Sequence, residues 1–276
     1  MNKAITVRHS CNIGDLIASL CGLYNHWKEY GNTFSYLQEL NVDGVYVNNA
    51  YHPTQEGNKQ VMCNKKMFDM IKPLVESQPY IADFQEYVGQ DVVVDFNKIR
   101  IGNPANIPNS PIQAWYGFVF PDLHCDISQP WISVPKRELD EGVTEISDKI
   151  LVNFTHRYRN QFIQYYFLKE YESQLLFIGT ELEHNDFCKK WNLDIPRLIV
   201  DDFYQLAQLM LECKFFLGNQ SFCWNLATAL GVPRILEMYE YAPNCIPFVG
   251  KHNYGYYHQG ALEFYFKKLA NEKEKY

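Results

Sequence analysis

The chain has 276 residues, enough for one large domain or two of roughly 130 residues each. Hydrophobic residues make up 47% and charged residues 21%, which excludes a disordered chain. The net charge of −7 supplies no basic face of the kind that grips a phosphate backbone, so nucleic acid is an unlikely partner.

In chain order, residues 4–8 form a short β-like run, Ser10 to Gly14 a turn, and residues 15–30 a helix. In that helix Leu16, Leu20, Leu23 and Trp27 recur at three- and four-residue steps until Gly31 and Asn32 stop it. Residues 33–37 and 42–47 are predicted strands. Residues 48–60, with Pro53 and Gly57, form a loop. A helix is predicted over 67–76, where Pro73 sits late or breaks it. Residues 81–87 and 91–96 read as short strands or turns, 101–111 as a loop rich in Pro and Asn, and 112–120 as an aromatic helix. Residues 129–148, with Trp131, Pro135 and mixed charges, read as a connector. They divide the chain into an N-terminal domain, 1–140, and a C-terminal domain, 141–276. No motif is assigned to residues 33–135.

The second half alternates regularly. KILVNF (149–154), QLLFI (174–178), 196–200, 214–217 and 234–238 are predicted strands, with 234–238 the last. Helices are predicted over 161–171, 183–191, 202–213 and 222–230, and the NEKEKY tail is charged and frayed. This order predicts an α/β protein with a parallel sheet wrapped by helices.

The eight Cys form no C-x-x-C pair and no zinc-spaced Cys/His cluster. Several, such as Cys21 and Cys213, lie in apolar runs and read as reduced core residues, which points to the cytosol. The opening MNKAITVRHSCNIGD has no long apolar region, and no run of about 18 apolar residues spans a membrane. The expected location is cytoplasmic. Aromatics, at 16%, read first as core and second as stacking surfaces for a sugar or base.

Three segments carry candidate chemistry. The first is FFLGNQSFCWNLATALGVPRILE (215–237): strand, small polar turn, helix, Gly-Val-Pro, strand. The turn Gly218-Asn219-Gln220-Ser221 sits at a helix N-terminus, where unpaired N–H groups and the helix dipole favour an anion such as a diphosphate. Ser221 as a simple N-cap is the competing reading. The second is the opening Asn12-Ile13-Gly14-Asp15, where Asp15 is either a first-turn acid or a base aimed from the end of the first strand. The third is His156-Arg157-Tyr158-Arg159, whose arginines suit a leaving diphosphate if they do not merely form a solvated turn.

Ligands of open α/β sheets lie beyond the carboxyl ends of strands. That rule selects Thr180 and Glu181, Asp202 and Glu237 as further candidates for base or ribose, each against a cap or surface reading. His9 is a candidate cleft residue. Trp115, Tyr116 and Trp131 are candidate stacking residues, each also readable as core. There is no Asp-x-Asp motif and the other His residues lack ligand spacing, so no metal is expected.

Residues 215–237, and the opening Asn12-Ile13-Gly14-Asp15-Leu16-Ile17-Ala18-Ser19-Leu20, resemble segments of the GT-B glycosyltransferases, and in particular of the lipopolysaccharide heptosyltransferase (ADP-heptose transferase) family. Asn225, before Leu226-Ala227-Thr228-Ala229-Leu230-Gly231-Val232-Pro233, stands where that family commonly has His, and Asn219 where it often has Asp. The resemblance implies two Rossmann-like domains facing each other across a cleft. It implies an inverting, metal-independent transfer of a hexosyl or heptosyl unit from a nucleotide-diphosphate sugar to a glycan or other hydroxyl acceptor, with no further cofactor. Asp15 is then the general base. Arg157, Arg159, Thr180, Gly218, Asn219, Gln220, Ser221, Phe222 and Asn225 bind the donor, and His9, Asn12 and Gly14 line the acceptor side. Two alternatives remain: a non-catalytic relative that binds a nucleotide or glycan, and a two-domain sugar-nucleotide epimerase.

Overall fold

A computed structural model describes residues 4–44, 55–56, 59–100, 110–137, 146–242, 244–248 and 250–272. The first half runs β1 (Ile5–His9), α1 (Ile13–Tyr30), β2 (Phe34–Gln38), a small hairpin of β3 (Gln55–Glu56) and β4 (Lys59–Gln60), α2 (Lys65–Glu76), β5 (Ile81–Glu86) and β6 (Val94–Asp95). A 3-10 turn, Phe96–Ile99, and α3 (Ile112–Val119) follow. The four longer-range strands pair in parallel in the order β5-β2-β1-β6. The chain therefore builds outward from β1 in one direction and then reverses to place β6 on its other side.

The second half repeats that plan. It contains β7 (Ile150–Asn153), a long 3-10 segment (Tyr166–Gln174), β8 (Leu175–Ile178), α4 (Glu181–Trp191), β9 (Arg197–Leu198), α5 (Phe203–Glu212), β10 (Phe215–Asn219), α6 (Phe222–Leu230), β11 (Arg234–Glu237), β12 (Asn253–Tyr256) and α7 (Gln259–Asn271). Its parallel sheet has the order β12-β11-β10-β7-β8-β9, so the reversal falls between β7 and β10. Relative to its own first strand, this is the doubly wound order of dinucleotide-binding folds.

Strand alternation divides the core. Ile150, Val152, Phe215, Leu217 and Ile235 face one layer with Phe187 of α4 and Phe266 of α7. Leu151, Phe216 and Leu236 face the opposite layer, which is continuous with the core of the first sheet through α1, α2, α5 and α6. α1 packs against α6, and α2 against α5. Leu16, Leu20 and Leu23 of α1 are fully buried, each contributing about 1.5–3 kcal/mol of hydrophobic burial. Trp131 ties the same region together: its indole N–H donates to Ile17 O at 2.9 Å and its backbone N–H to Ala229 O at 3.0 Å.

Several expectations need correction. Residues 161–171 are not an α-helix. The Asn160 carboxamide accepts from Phe162 N at 3.0 Å, forming a turn. Buried Ile163, Tyr165 and Leu168 are spaced by two and then three, which suits a turn and a 3-10 segment. Residues 234–238 do not hold the last strand, since β12 and α7 follow. α2 continues through Pro73, which is exposed near its C-terminal end, where a carbonyl that loses its partner is near solvent. Of residues 42–47, Asp43 forms only an isolated antiparallel bridge to Val61, and 45–47 lie outside the described residues. The expected loop 101–111 lies mostly outside them, as does the boundary near 140.

The cysteines are not all reduced: Cys21 of α1 is disulfide-bonded to Cys125, with Cα atoms 5.3 Å apart. Cysteine content thus no longer points to a reducing compartment. Among the described residues, no helix is long and apolar enough to cross a membrane.

A candidate binding cleft at two switch points

Where strand order reverses, the loops leaving the two central strands run in opposite directions and leave a crevice at the carboxyl ends. In the first sheet the loops after β1 and β6 flank that crevice, and in the second sheet the loops after β7 and β10 do. Residues from all four loops line one cavity of about 180 Å³: Asn12 to Asp15, Arg100, Arg157 with Tyr158, and Gln220 to Phe222 with Asn225. The N-termini of α1 and α6 meet there. A Cβ on Gly14 would lie 3.5 Å from Phe222 Cα and 3.4 Å from Asn225 Nδ2, ordinary contact distances that show how near the two helix ends approach. The first-turn N–H groups of both helices lack intrahelical acceptors and carry the positive ends of the helix dipoles.

The first-sheet side of the cavity is charged. Asp15 Oδ2 accepts from Arg100 Nη2 at 2.6 Å. Asp15, close by, raises the pKa of the guanidinium against the cost of burial. Arg100 Nε also donates to Cys11 Sγ at 2.8 Å, and burial pushes that thiol up to about 12. Trp115 lines the same cavity, and its buried indole N–H finds no acceptor among the described residues.

His9 does not line the cavity. It is fully buried, and desolvation lowers its pKa to about 4. Its Nδ1 lies 3.3 Å from Cys11 N and 3.4 Å from Gln38 Oε1, and its Nε2 lies 3.0 Å from Tyr116 Oη. Tyr116 in turn donates to Asp15 O at 3.1 Å. A neutral histidine and a buried tyrosine therefore support the backbone of Asp15 from beneath.

Apart from Arg157, the second-sheet side is built of neutral side chains held by hydrogen bonds. Gly218 and Asn219 are the last residues of β10 instead of the first of a turn. A Cβ at Gly218 would come within 2.6 Å of Asn153 O, so close strand approach requires glycine. Buried Asn219 accepts from Thr155 N at 3.0 Å and donates to Arg157 O at 2.5 Å, pinning the β7 loop. Ser221 Oγ accepts from Trp224 N at 3.2 Å as the N-cap of α6, and it donates to Asn153 Oδ1 at 2.8 Å. Gln220 donates to Ala242 O at 2.8 Å and to Asn244 Oδ1 at 2.9 Å. Asn225 accepts from Gln113 Nε2 at 3.3 Å.

A second cavity, of about 610 Å³, opens beyond the ends of β7, β8 and β9. Thr180 and Glu181 line it, with apolar walls from Leu198 to Val200, Phe203, and Met67 and Met70 of α2. Thr180 also forms a capping box with Glu183, accepting from its N–H at 3.2 Å. Four residues line both cavities: Ile13, Arg157, Ser221 and Phe222. The junction thus holds one guanidinium and the capped N-terminus of α6.

Of the expected site residues, the two cavities bring together Asp15, Asn12, Gly14, Arg157, Thr180, Gln220, Ser221, Phe222 and Asn225. They do not include Arg159, which reaches buried Glu237 with Nε 3.1 Å from Oε1. Glu237 is therefore not exposed to a ribose. Asp202 caps α5 through Gln205 N at 2.8 Å, and His156 lies 2.9 Å from Asp186. Tyr116 and Trp131 are buried struts with no stacking face. Arg100 was missed by sequence reasoning. It follows β6 after the single 3-10 turn Phe96–Ile99, and the strand-end rule would have selected it had β6 been recognised as the strand paired to β1 across the switch point.

No family model matches the chain, and no curated protein matches it in sequence. Solved structures do. The chain superposes on a family 9 glycosyl transferase from Veillonella parvula with a TM-score of 0.55 at 11% identity, covering 99% of this chain and 90% of that one. It superposes on the E. coli heptosyltransferase WaaC with ADP with a TM-score of 0.53 at 10% identity, covering 97% of this chain and 100% of that one. For WaaC with ADP-2-deoxy-2-fluoro heptose the TM-score is 0.52 at 8% identity. The likeness is one of fold, and that fold is the heptosyltransferase-like α/β architecture implied by the two motifs.

Proposed function

We propose that the protein is a glycosyltransferase of GT-B architecture, with residues 1–140 and 141–276 as facing Rossmann-like domains. It moves a sugar from a nucleotide-diphosphate donor to a hydroxyl acceptor with inversion and without a metal. The sharing of Arg157, Ser221 and Phe222 by the two cavities carries this reading. A nucleoside occupies the larger cavity between its apolar walls. The diphosphate crosses the junction against Arg157 and the α6 N-terminus, and the sugar meets the acceptor hydroxyl in the smaller cavity. A volume of 610 Å³ suits a nucleoside. Asp15, at the N-terminus of α1, takes the acceptor proton as the hydroxyl attacks the anomeric carbon. The C–O bond to the diphosphate breaks, and Arg157 with the helix dipole stabilises the departing negative charge. The bound form of WaaC named above holds ADP, which makes an adenine nucleotide the first donor class to test.

One observation favours a binding-only protein: Asp15 is already engaged by Arg100. The test is thermal stabilisation by ADP, GDP, UDP, dTDP and CMP, without metal and then with magnesium. Ligand at a hundredfold excess over its dissociation constant stabilises by about 2.7 kcal/mol. A selective shift with one diphosphate, independent of magnesium and lost in Arg157→Ala, supports the reading. No shift with any of them removes the donor site. Sugar transfer from the matching donor, abolished in Asp15→Asn, separates an enzyme from a binding protein.

A further inference from the structure

Glu237 is fully buried at the end of β11, in the adjoining strand to β10 and away from both cavities. Its carboxylate collects three groups. Oε1 accepts from Arg159 Nε at 3.1 Å and from Asn160 N at 2.5 Å. Oε2 accepts from Tyr165, whose hydroxyl also meets that of Tyr256 at 2.5 Å. The Arg159 guanidinium lies 4.6 Å over the Phe154 ring. Burial is the largest single influence on Arg159 and works against its charge, but Glu237 together with Tyr165 and Tyr256 outweighs it, so the arginine pKa is raised. A buried carboxylate with a cation and several donors is a strong, geometrically demanding joint.

That joint holds one end of the loop after β7. Asn219 holds the other, through Thr155 N and Arg157 O. Between the clamps, Tyr158 adopts a left-handed conformation with φ of 52°, which a non-glycine residue keeps only when its surroundings enforce it. Arg157 precedes Tyr158 and is the one cation at the junction of the two cavities.

We propose that Glu237 and Arg159 are positioning residues. They lock the 155–160 loop into the one conformation that presents Arg157 at the cavity junction, and neither touches ligand. This rests on the donor-site reading above for its functional consequence, and on the loop alone for its structural one. Arg159, expected from sequence to bind phosphate, then acts on phosphate only through Arg157.

The experiment compares wild type with Glu237→Gln, which is isosteric, and with Arg159→Lys and Arg159→Met, which keep and remove the charge. Amide hydrogen exchange of the unliganded protein reads the loop. Calorimetric titration reads the affinity for ADP, UDP and inorganic pyrophosphate. Exchange over residues 155–162 is expected to quicken about tenfold in Glu237→Gln and Arg159→Met, with the central strands unchanged and Arg159→Lys intermediate. Affinity for whichever probe binds wild type is expected to fall about tenfold, and to fall no further when Glu237→Gln is added to Arg157→Ala. Unchanged loop exchange in a folded Glu237→Gln protein overturns the inference, as do additive losses in the double variant. If wild type binds no probe, the donor site fails while the exchange still decides whether Glu237 fixes the loop. Should Glu237→Gln not fold, the Arg159→Lys and Arg159→Met pair carries the same comparison.

Discussion

The two sheets share a topology and differ in what their switch points hold. The crevice of the first sheet carries an exposed-to-ligand ion pair, Asp15 with Arg100, resting on a buried neutral layer of His9 and Tyr116. The crevice of the second carries neutral side chains whose hydrogen bonds are spent within the protein, Ser221 on Asn153, Asn219 on the loop after β7 and Gln220 on residues 242 and 244, with Arg157 lining the cavity beside them. On the proposed function, the same fold presents a reactive edge on one side and a preorganised cradle on the other. Division of labour between two such halves depends on the side chains at strand ends, since backbone topology supplies only the crevice.

The largest test of this contrast is chemical. Asp15→Asn keeps the volume of the side chain and removes the proposed base. Turnover with the donor selected by thermal shift is expected to fall about 10²–10⁴-fold, the usual weight of general-base catalysis. Nucleoside diphosphate affinity, assigned by the proposal to the other edge, is expected to stay within about threefold, since Asp15 does not line the larger cavity. A loss of turnover matched by a loss of diphosphate affinity would merge the two edges into one. Measuring diphosphate release and binding on the same preparation distinguishes them.

The layer beneath the reactive edge makes a smaller prediction. Burial lowers His9 from 6.5 to about 4. Between those values the unfolded chain binds a proton that the folded protein does not. The contribution is therefore complete above pH 6.5 and is lost as pH falls toward 4, up to roughly 3 kcal/mol. His9→Gln, whose amide can reach Tyr116, should lack that component. Urea unfolding of both proteins across this range should show the wild-type stability falling more steeply. Parallel pH profiles would mean that His9 is already solvated.

Legibility followed the same division. The second sheet was readable because its strands are short, unbroken apolar runs, KILVNF and QLLFI among them, and because Ser221 and Gly231 bracket α6 with strong cap signals. The first sheet was readable element by element, since residues 67–76, 81–87 and 112–120 hold α2, β5 and α3, but its strand order was not. Residues 91–96 read equally as strand or turn, and the 3-10 turn Phe96–Ile99 separates the two-residue β6 from Arg100, so Arg100 was not selected. α7 was missed although Leu262, Phe266 and Leu269 repeat at four and three, because the Asn253–Tyr256 strand before it carries a glycine and no aliphatic run. Glu237 was selected by a sound rule about strand ends, and Arg159 as a cation in the segment after a strand. The rule locates a residue near the crevice but not the direction of its side chain, and these two are turned toward each other beneath it. The Cys21–Cys125 bond joins positions 104 residues apart, a separation at which spacing says nothing about pairing.

The cradle itself yields the smallest effect and the finest discrimination. Ser221 Oγ has two duties: it caps α6 through Trp224 N, and it donates to Asn153, whose amide in turn binds Ile178 O at 2.7 Å. Ser221→Ala removes both and is expected to cost about 1–2 kcal/mol. Ser221→Gly also removes the bond to Asn153, but glycine at an N-cap commonly costs only a few tenths of a kcal/mol. If the cap dominates, glycine will be the milder change in urea unfolding. If the bond that ties β7 to β10 dominates, the two variants will be equally destabilised. In that case the hydroxyl serves mainly to register the strands that shape the crevice, and the anion-binding end of α6 is set by backbone alone.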